Sequence, residues 1–390
     1  MKNLAIITTH PIQYYAPAFK LLAKQCNLKV FYTLGSETEN GLFDSGFNRT
    51  IKWDIDLLDG YQYEFLENTA KQLGTHHYNG IKNPQIIQNI NTFNADALLV
   101  YGWAYHSHLK VLQYFKGKVP VWFRGDSHLL DAKPLWKNLA RKVLLTWVYS
   151  HVDKLFYVGK ANKAYFKEFG LKEEQLVFAP HAIDNARFSI DRKEEVNLLR
   201  KSLALNDDDI LILFAGKFER KKNPKLLLQA FLNLRINNAH LLFVGNGELE
   251  EKLKAEKAHR YAQDDHYTTV HFMDFQNQSY MPVVYQACDL FCLPSQGPNE
   301  TWGLAVNEAM AAGRAILVSD KVGCATDLIE PKKTGDIFQS ANHSDFISKL
   351  SALVSNKTQL KQMGLQSKAK IKDWNFEQQI NQILSALHAI

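Results

Sequence analysis

Cysteine is scarce in this chain: Cys26, Cys288, Cys292 and Cys324 are the only four, and no two of them form a Cys-x-x-Cys pair. Two fall in or beside an apolar run, so they read as reduced core residues. That argues against a disulfide framework or a structural zinc site and for the cytoplasm. No run of about twenty apolar residues exists to span a bilayer. The opening segment, Met1-Lys-Asn-Leu-Ala-Ile-Ile-Thr-Thr9, has too short an apolar run for a secretory signal and reads as a first buried strand. No Asp-x-Asp loop is read at a strand end; Asp207-Asp208-Asp209 lies ahead of a strand, where it caps or solvates, so no metal is expected. A formal charge of +6 without a recognition motif gives nucleic acid no support as a partner.

What is present is alternation. A chain of 390 residues, 46% hydrophobic, exceeds the size at which one core keeps growing, so two α/β domains are expected. Strands are predicted at Leu4 to Thr9, Leu28 to Leu34, Ala97 to Tyr101, Val119 to Phe123, Leu155 to Val158 and Leu176 to Phe178, with a helix over Ala16 to Gln25. The charged stretch 186–207, short of β-branched runs, reads as a linker between a first domain, 1–185, and a second, 208–373. A helix over Trp374 to Leu387 closes the pattern within a final segment, 374–390.

The most informative stretch is Glu300-Thr301-Trp302-Gly303-Leu304-Ala-Val-Asn-Glu308, between the apolar runs Asp289 to Ser295 and Ala315 to Ser319. It reads as strand, loop, helix, strand, and the loop after such a strand faces a ligand crevice. Two carboxylates flank a helix start opened by Gly303, whose unpaired N–H groups suit an anion. Upstream, Phe214-Ala-Gly216-Lys217 leads to Lys221-Lys222, so a strand ends in glycine with cations close behind. Carboxylates for hydroxyls with cations and amides for phosphates suit a sugar nucleotide. The bland readings are a solvated basic turn for the lysines and surface charges for Glu300 and Glu308; the paired spacing around Gly303 favours a site.

Between these come a helix at Leu226 to Leu234, the strand Leu241-Leu-Phe-Val-Gly245-Asn-Gly247 and the segment Val270 to Asp274. That order and these residues closely resemble the nucleotide-binding domain of glycosyltransferase family 4, over about residues 211–340. The resemblance implies a GT-B fold, two Rossmann-like domains facing each other across a cleft, and retaining transfer from a nucleoside-diphosphate sugar without a metal or other cofactor. It implies a donor site of Gly216, Lys217, Lys222, Gly245, Gly247, Phe275, Glu300, Thr301, Trp302, Gly303, Leu304 and Glu308. Within it Lys217 and Lys222 meet the diphosphate, Glu308 the ribose hydroxyls and Glu300 the transferred sugar. His128, Glu300 and Lys222 are the catalytic candidates. The phrase Ala179-Pro180-His181-Ala182-Ile183-Asp184 resembles the segment with which the family leaves its first domain, with His181 and Ala182 in place of asparagine and glycine.

On the other side of the reaction, His10-Pro11-Ile12-Gln13-Tyr14 follows the first strand and resembles the opening of some bacterial members. His10, Gln13 and Tyr14 are candidates to hold acceptor or donor sugar, with helix initiation by Pro11 and packing by Tyr14 the competing account. Arg124-Gly-Asp126-Ser-His128 follows a later strand, and Arg124 and Asp126 join the candidates; a lone histidine such as His128 more often has a structural partner. Residues 131–172 hold nine Lys or Arg against three Asp or Glu. There Trp136, Leu139, Ala140, Val143, Leu144 and Trp147 form an apolar helical stripe, with Lys133, Lys137 and Arg141 on another face. Packing on the first sheet is one reading of the stripe; rest on an anionic membrane surface, bringing the site to a lipid-linked acceptor, is the other.

The expected function is retaining, metal-independent sugar transfer from a nucleotide sugar to a glycan, lipid-linked or other acceptor, in cell-surface polysaccharide or glycoconjugate synthesis. The place is the cytoplasm, with peripheral attachment to the inner face of its membrane as a further reading. A glycoside hydrolase would also use two carboxylates but would leave the lysines without a diphosphate. A sugar-nucleotide epimerase of the same fold and a catalytically silent binding subunit are the alternatives.

Overall fold

The apolar runs become strands of two parallel sheets, buried on both faces as parallel sheets must be. The structure, a computed structural model, describes residues 1–39, 41–131, 135–234, 238–262 and 269–390. The chain divides into two compact units. Unit 1 comprises Met1–Leu42, Ile55–His181 and Asn375–Ile390; unit 2 comprises Phe43–Asp54 and Ala182–Trp374.

Unit 1 is built on β1 (Asn3–Thr8), β2 (Asn27–Tyr32), β5 (Gln62–Phe65), β6 (Ala97–Tyr101), β7 (Val121–Arg124), β8 (Lys154–Tyr157) and β9 (Leu176–Phe178). Their order is β5-β2-β1-β6-β7-β8-β9, every neighbouring pair parallel. Leu4, Ala5, Ile6 and Ile7 on β1 are fully buried, each large side chain worth about 1.5–3 kcal/mol on burial. The order reverses beside β1, and ligands of open α/β sheets bind at such a switch, beyond the carboxyl ends of the strands. The helices α1 (Ala16–Leu22) and α15 (Phe376–His388) pack together in this unit.

Unit 2 is Rossmann-like as well: β10 (Ile210–Ala215), β11 (Ala239–Val244), β12 (Val270–Met273), β13 (Leu290–Leu293), β14 (Ala315–Ser319) and β15 (Gly335–Phe338), in the order β12-β11-β10-β13-β14-β15 and all parallel. Its switch lies between β10 and β13.

Two segments depart from the sequence reading. Residues 186–207, expected as a linker, carry α6 (Asn185–Ser189) and α7 (Lys193–Ser202) and count with unit 2. Of the charges that suggest a linker, Lys193, Glu194, Glu195 and Lys201 are exposed, whereas Phe188 and Leu199 are buried. Gln286, on α10 (Met281–Ala287), donates to the carbonyls of Phe188 and Ile190, and Arg200 donates to the carbonyls of Ala287 and Asp209. The second departure is a small hairpin, β3 (Leu42–Asp44) with β4 (Arg49–Ile51), inside the stretch expected to be wholly first domain. Its residues from Phe43 to Asp54 count with unit 2.

Candidate functional site

All the candidate donor residues of unit 2 gather at the carboxyl edge of its sheet. Gly216 follows β10, Gly245 and Gly247 follow β11, Phe275 follows β12, and the loop carrying Glu300 follows β13. The glycines are there because backbones meet. Gly245 has φ of +135°, and a Cβ on it would stand 2.1 Å from the carbonyl oxygen of Gly216. Gly247, at φ of +153°, lies so close to Phe218 that a Cβ would be 2.8 Å from its backbone N and O. Such positions exclude every L side chain.

Lys222 and Glu300 meet across the β10/β13 switch. The Lys222 ammonium lies 2.9 Å from Glu300 Oε2, which also accepts from Ser295 Oγ at 3.0 Å. Burial pushes the Glu300 carboxyl upward, but Lys222, the nearby Lys221 and the Ser295 bond outweigh it and hold the group below the usual carboxylate range. Glu300 is therefore a buried anion at neutral pH. Three residues on, Gly303 takes the left-handed conformation (φ +92°) and caps α11 (Leu304–Ala311). Leu304 opens the helix, Thr301 is half-buried ahead of it, and Trp302 is buried with its indole N–H donating to Asn307 Oδ1 at 2.9 Å. Glu308, one turn in, is buried and accepts from Tyr285 O–H at 2.8 Å. The loop thus presents a left-handed entry to a helix N-terminus between two fixed carboxylates, an arrangement able to receive an anion and several hydroxyls.

Lys217 stands apart from that pair. Its ammonium lies 2.8 Å from Asp44 Oδ1, on the hairpin. Phe275, whose N–H donates to Asn246 Oδ1 at 2.9 Å, packs against Phe47 with centroids 5.0 Å apart. An Asp-x-Asp spacing behind β4, Asp54 and Asp56, is engaged in hydrogen bonds within the protein. Asp54 accepts from Ser279 N–H and O–H, and Asp56 from the N–H groups of Leu58 and Asp59.

Unit 1 has its own pocket at the carboxyl ends of its strands. Arg124 and Asp126 line it together with Thr8, Thr9, Ile12, Tyr15, Tyr101, Gly102, Tyr105, Gly125, Val158 and His181. Arg124, the last residue of β7, is buried and donates to the carbonyls of Ala179 (2.9 Å) and Pro180 (3.0 Å). Burial, with Arg124 beside it, drives His181 down to about 3, so it is neutral. Burial pushes the Tyr101 phenol up to about 12 against the pull of Arg124. Its hydroxyl is buried without a hydrogen-bond partner among the described residues.

His10, Gln13, Tyr14 and His128 do not line that pocket. His10 Nδ1 lies 3.0 Å from Thr9 Oγ1. His128 is buried, its Nδ1 accepting from Leu130 N–H at 3.2 Å, a structural partner of the kind a lone histidine usually has. Tyr15, Tyr101 and His181 are among the pocket residues that were not site candidates in the sequence. Tyr101 ends an apolar strand and looked like core; only its place at the carboxyl end of β6 could have marked it.

The helix α4 (Leu135–Tyr149) overturns the packing account of the apolar stripe. Leu139, Val143, Leu144 and Trp147 are exposed, while Leu145, Val148 and Tyr149 face the core. The stripe was drawn through the wrong face, because apolar residues occur on both. Arg141, expected on a free basic face, instead donates to Tyr165 O–H at 3.2 Å and lies 5.2 Å from the Tyr165 and Phe169 rings. Lys133 and the side chains of Trp136 and Lys137 lie outside the described residues.

Residues 195–370 match the family described as Glycosyl transferases group 1. The chain is 28% identical over 197 residues to the lipopolysaccharide 1,2-N-acetylglucosaminetransferase of Salmonella typhimurium, covering 45% of this chain and 51% of that protein. It is 26% identical over 209 residues to the D-inositol 3-phosphate glycosyltransferase of Nocardia farcinica, covering 52% and 44%. The chain spans about half, or less, of the length of these curated relatives. Among solved structures, the Anabaena Alr3699/HepE protein in complex with UDP superimposes with a TM-score of 0.75 over 100% of both chains at 14% identity. The fold is therefore that of the GT-B glycosyltransferases, two Rossmann-like α/β domains.

Proposed function

We propose that the protein is a retaining glycosyltransferase of family 4 type, moving a sugar from a nucleoside-diphosphate sugar to a glycan, lipid-linked or other acceptor in cell-surface polysaccharide or glycoconjugate synthesis. The observation that carries this is the Lys222–Glu300 pair at the β10/β13 switch, beside the α11 N-terminus and Glu308. Departure of a nucleoside diphosphate puts charge on the leaving phosphate, and fixed cations and amides aimed at it lower the barrier. In this reading Lys217, Lys222 and the first N–H groups of α11 serve the diphosphate, Glu308 the ribose and Glu300 the sugar. Attack and departure occur on one face through an ion-pair-like state, without a covalent glycosyl intermediate. UDP-sugars are the first donors to try, since the Anabaena neighbour was solved with UDP and with UDP-glucose.

The pocket of unit 1 is assigned to the acceptor. It measures about 190 Å³, where a water takes about 30 Å³, so it receives the reacting end of an acceptor. The unsatisfied Tyr101 hydroxyl and Asp126 suit sugar hydroxyls there. The exposed apolar residues of α4 support peripheral attachment to the cytoplasmic face of a membrane and hence a lipid-linked acceptor.

The deciding experiment incubates the protein with a panel of sugar nucleotides and acceptors. Acceptor-dependent release of nucleoside diphosphate, with the anomeric configuration kept, is expected. An isomerised sugar nucleotide would make the protein an epimerase, and binding without turnover a silent subunit. The same assay with chelator tests metal independence: activity that vanishes and returns only with a divalent ion would refute it.

A further inference from the structure

We propose that Phe43–Asp54 is a strap over the donor half-site, and that the Asp44 carboxylate holds the place of a donor phosphate on Lys217, so that donor loading and strap release are coupled. The proposal rests on the reading of Lys217 as a diphosphate ligand. The segment leaves unit 1 after Leu42, returns to it at Ile55, and between those points counts with unit 2.

Its two parts are held differently. The far part is tied by contacts for which a diphosphate does not compete: Ile51 is buried, Asn277 Nδ2 donates to the Lys52 carbonyl at 2.7 Å, and Ser279 N–H donates to Asp54 Oδ1 at 3.1 Å. The near part rests on one ion pair, Asp44 with Lys217, and on ring contacts of Phe47 and Arg49 with Phe275. Asp44 Oδ1 accepts from the N–H groups of Gly46 (2.8 Å) and Phe47 (3.2 Å), and the same atom faces the Lys217 ammonium at 2.8 Å. The turn thus aims a carboxylate oxygen at the lysine. Gly46 lets the turn lie on the lysine stem, since a Cβ there would stand 2.5 Å from Lys217 Cδ. Phe47 spans the gap to Phe275, a candidate donor residue, and the Lys217 ammonium is 5.3 Å from its ring.

Magnitudes decide which lysine exchanges. The side chains of Lys217 and Asp44 are each 30% exposed, against 16% and 8% for Lys222 and Glu300. A pair in that half-open setting is solvent-screened and weak, whereas the deep pair loses a buried partner if broken. A diphosphate offers Lys217 more charge and more oxygens than one carboxylate, and it repels Asp44. The incoming donor therefore takes Lys217, the Asp44 carboxylate leaves the lysine together with its turn, and the far part keeps the strap attached.

The test uses the full chain and a panel of UDP, GDP and ADP, by calorimetry at low and high salt, with hydrogen exchange on the tightest complex. Asp44→Asn keeps the turn's acceptor but removes the charge. It is expected to bind nucleoside diphosphate about three- to five-fold tighter at low salt, the scale of one screened pair, with the gain fading at high salt. Phe47→Ala, which loosens the strap without touching charge, is expected to tighten binding as well. In the wild type, diphosphate is expected to speed exchange at the Gly46 and Phe47 amides, because the turn that holds them leaves its seat on Lys217 and opens to water. Unchanged or weaker binding by both variants, or slower exchange at those amides, overturns the proposal while leaving the donor reading intact if Lys222→Ala still abolishes binding. If no nucleoside diphosphate binds the wild type or Asp44→Asn, the donor reading fails and this proposal with it.

Discussion

Lys222 has two tasks that substitution can separate. Removing it leaves Glu300 a buried anion without its ammonium partner, a loss of up to about 3–5 kcal/mol for a broken buried pair. Lys222→Met is therefore expected to lower the melting temperature by several degrees, and Lys222→Met with Glu300→Gln to recover most of that, because a neutral amide needs no cation. Both should lose donor binding. Equal melting of single and double variants would show that the pair does not hold the loop. Glu308→Ala should lower the melting temperature by a few degrees, because the buried Tyr285 hydroxyl loses its acceptor, and weaken nucleoside-diphosphate binding about ten-fold or more, the scale of a lost charge-assisted hydrogen bond. Wild-type binding in that variant would remove Glu308 from the site. These residues could be read in the sequence because acids, lysines and glycines stand at fixed spacing around one strand-loop-helix unit. Asp44 could not: its partner Lys217 lies far along the chain, and only the folded hairpin joins them.

Elements were legible where a face is apolar throughout. The strands of unit 2 announced themselves as unbroken apolar runs because both sheet faces are covered. The hairpin strands, three residues each and mixed in polarity, carry no such period, and α7 has so few buried positions that its charge dominated the reading. In α4 the period was visible but its buried side was not, since Leu145 and Val148 face inward while Leu139, Val143 and Trp147 face water. Exposed apolar residues add little to the stability of the free protein, so Leu139→Ser, Val143→Ser and Trp147→Ser together should change folding stability only slightly. The wild type is expected to associate with anionic vesicles in a salt-sensitive way, and the same variant to lose that association with donor binding kept. Replacing Arg141 would be a poorer test, because its packing on Tyr165 and Phe169 would be lost with its charge. Vesicle binding equal to wild type in the serine variant would assign the stripe another partner.

At the scale of the whole molecule, acid is expected to act on both units together. Burial holds His108 at about 4 and, with Arg124 beside it, His181 at about 3, both in unit 1. In unit 2 burial, with His240 and Lys257 nearby, holds His271 at about 4. The unfolded chain binds these protons near pH 6.5 and the folded chain does not. Between pH 6.5 and about 4 the unfolded state therefore carries more protons, and each such histidine removes up to about 1.4 kcal/mol of stability per pH unit of descent. Melting temperatures from pH 7.5 to 4.5 should fall steadily below pH 6.5; a flat profile would mean that the histidines are hydrated in the fold. The interleaving of the units has a different consequence, for the order in which the chain is made. Both α1 and β9 of unit 1 pack against α15, which is translated only after all of unit 2. A ribosome therefore releases the first sheet while the helix that covers part of it does not yet exist. Until Ile380, Ile383 and Leu387 emerge, their apolar partners stand open in the nascent chain, a client surface for chaperones throughout synthesis of the second unit.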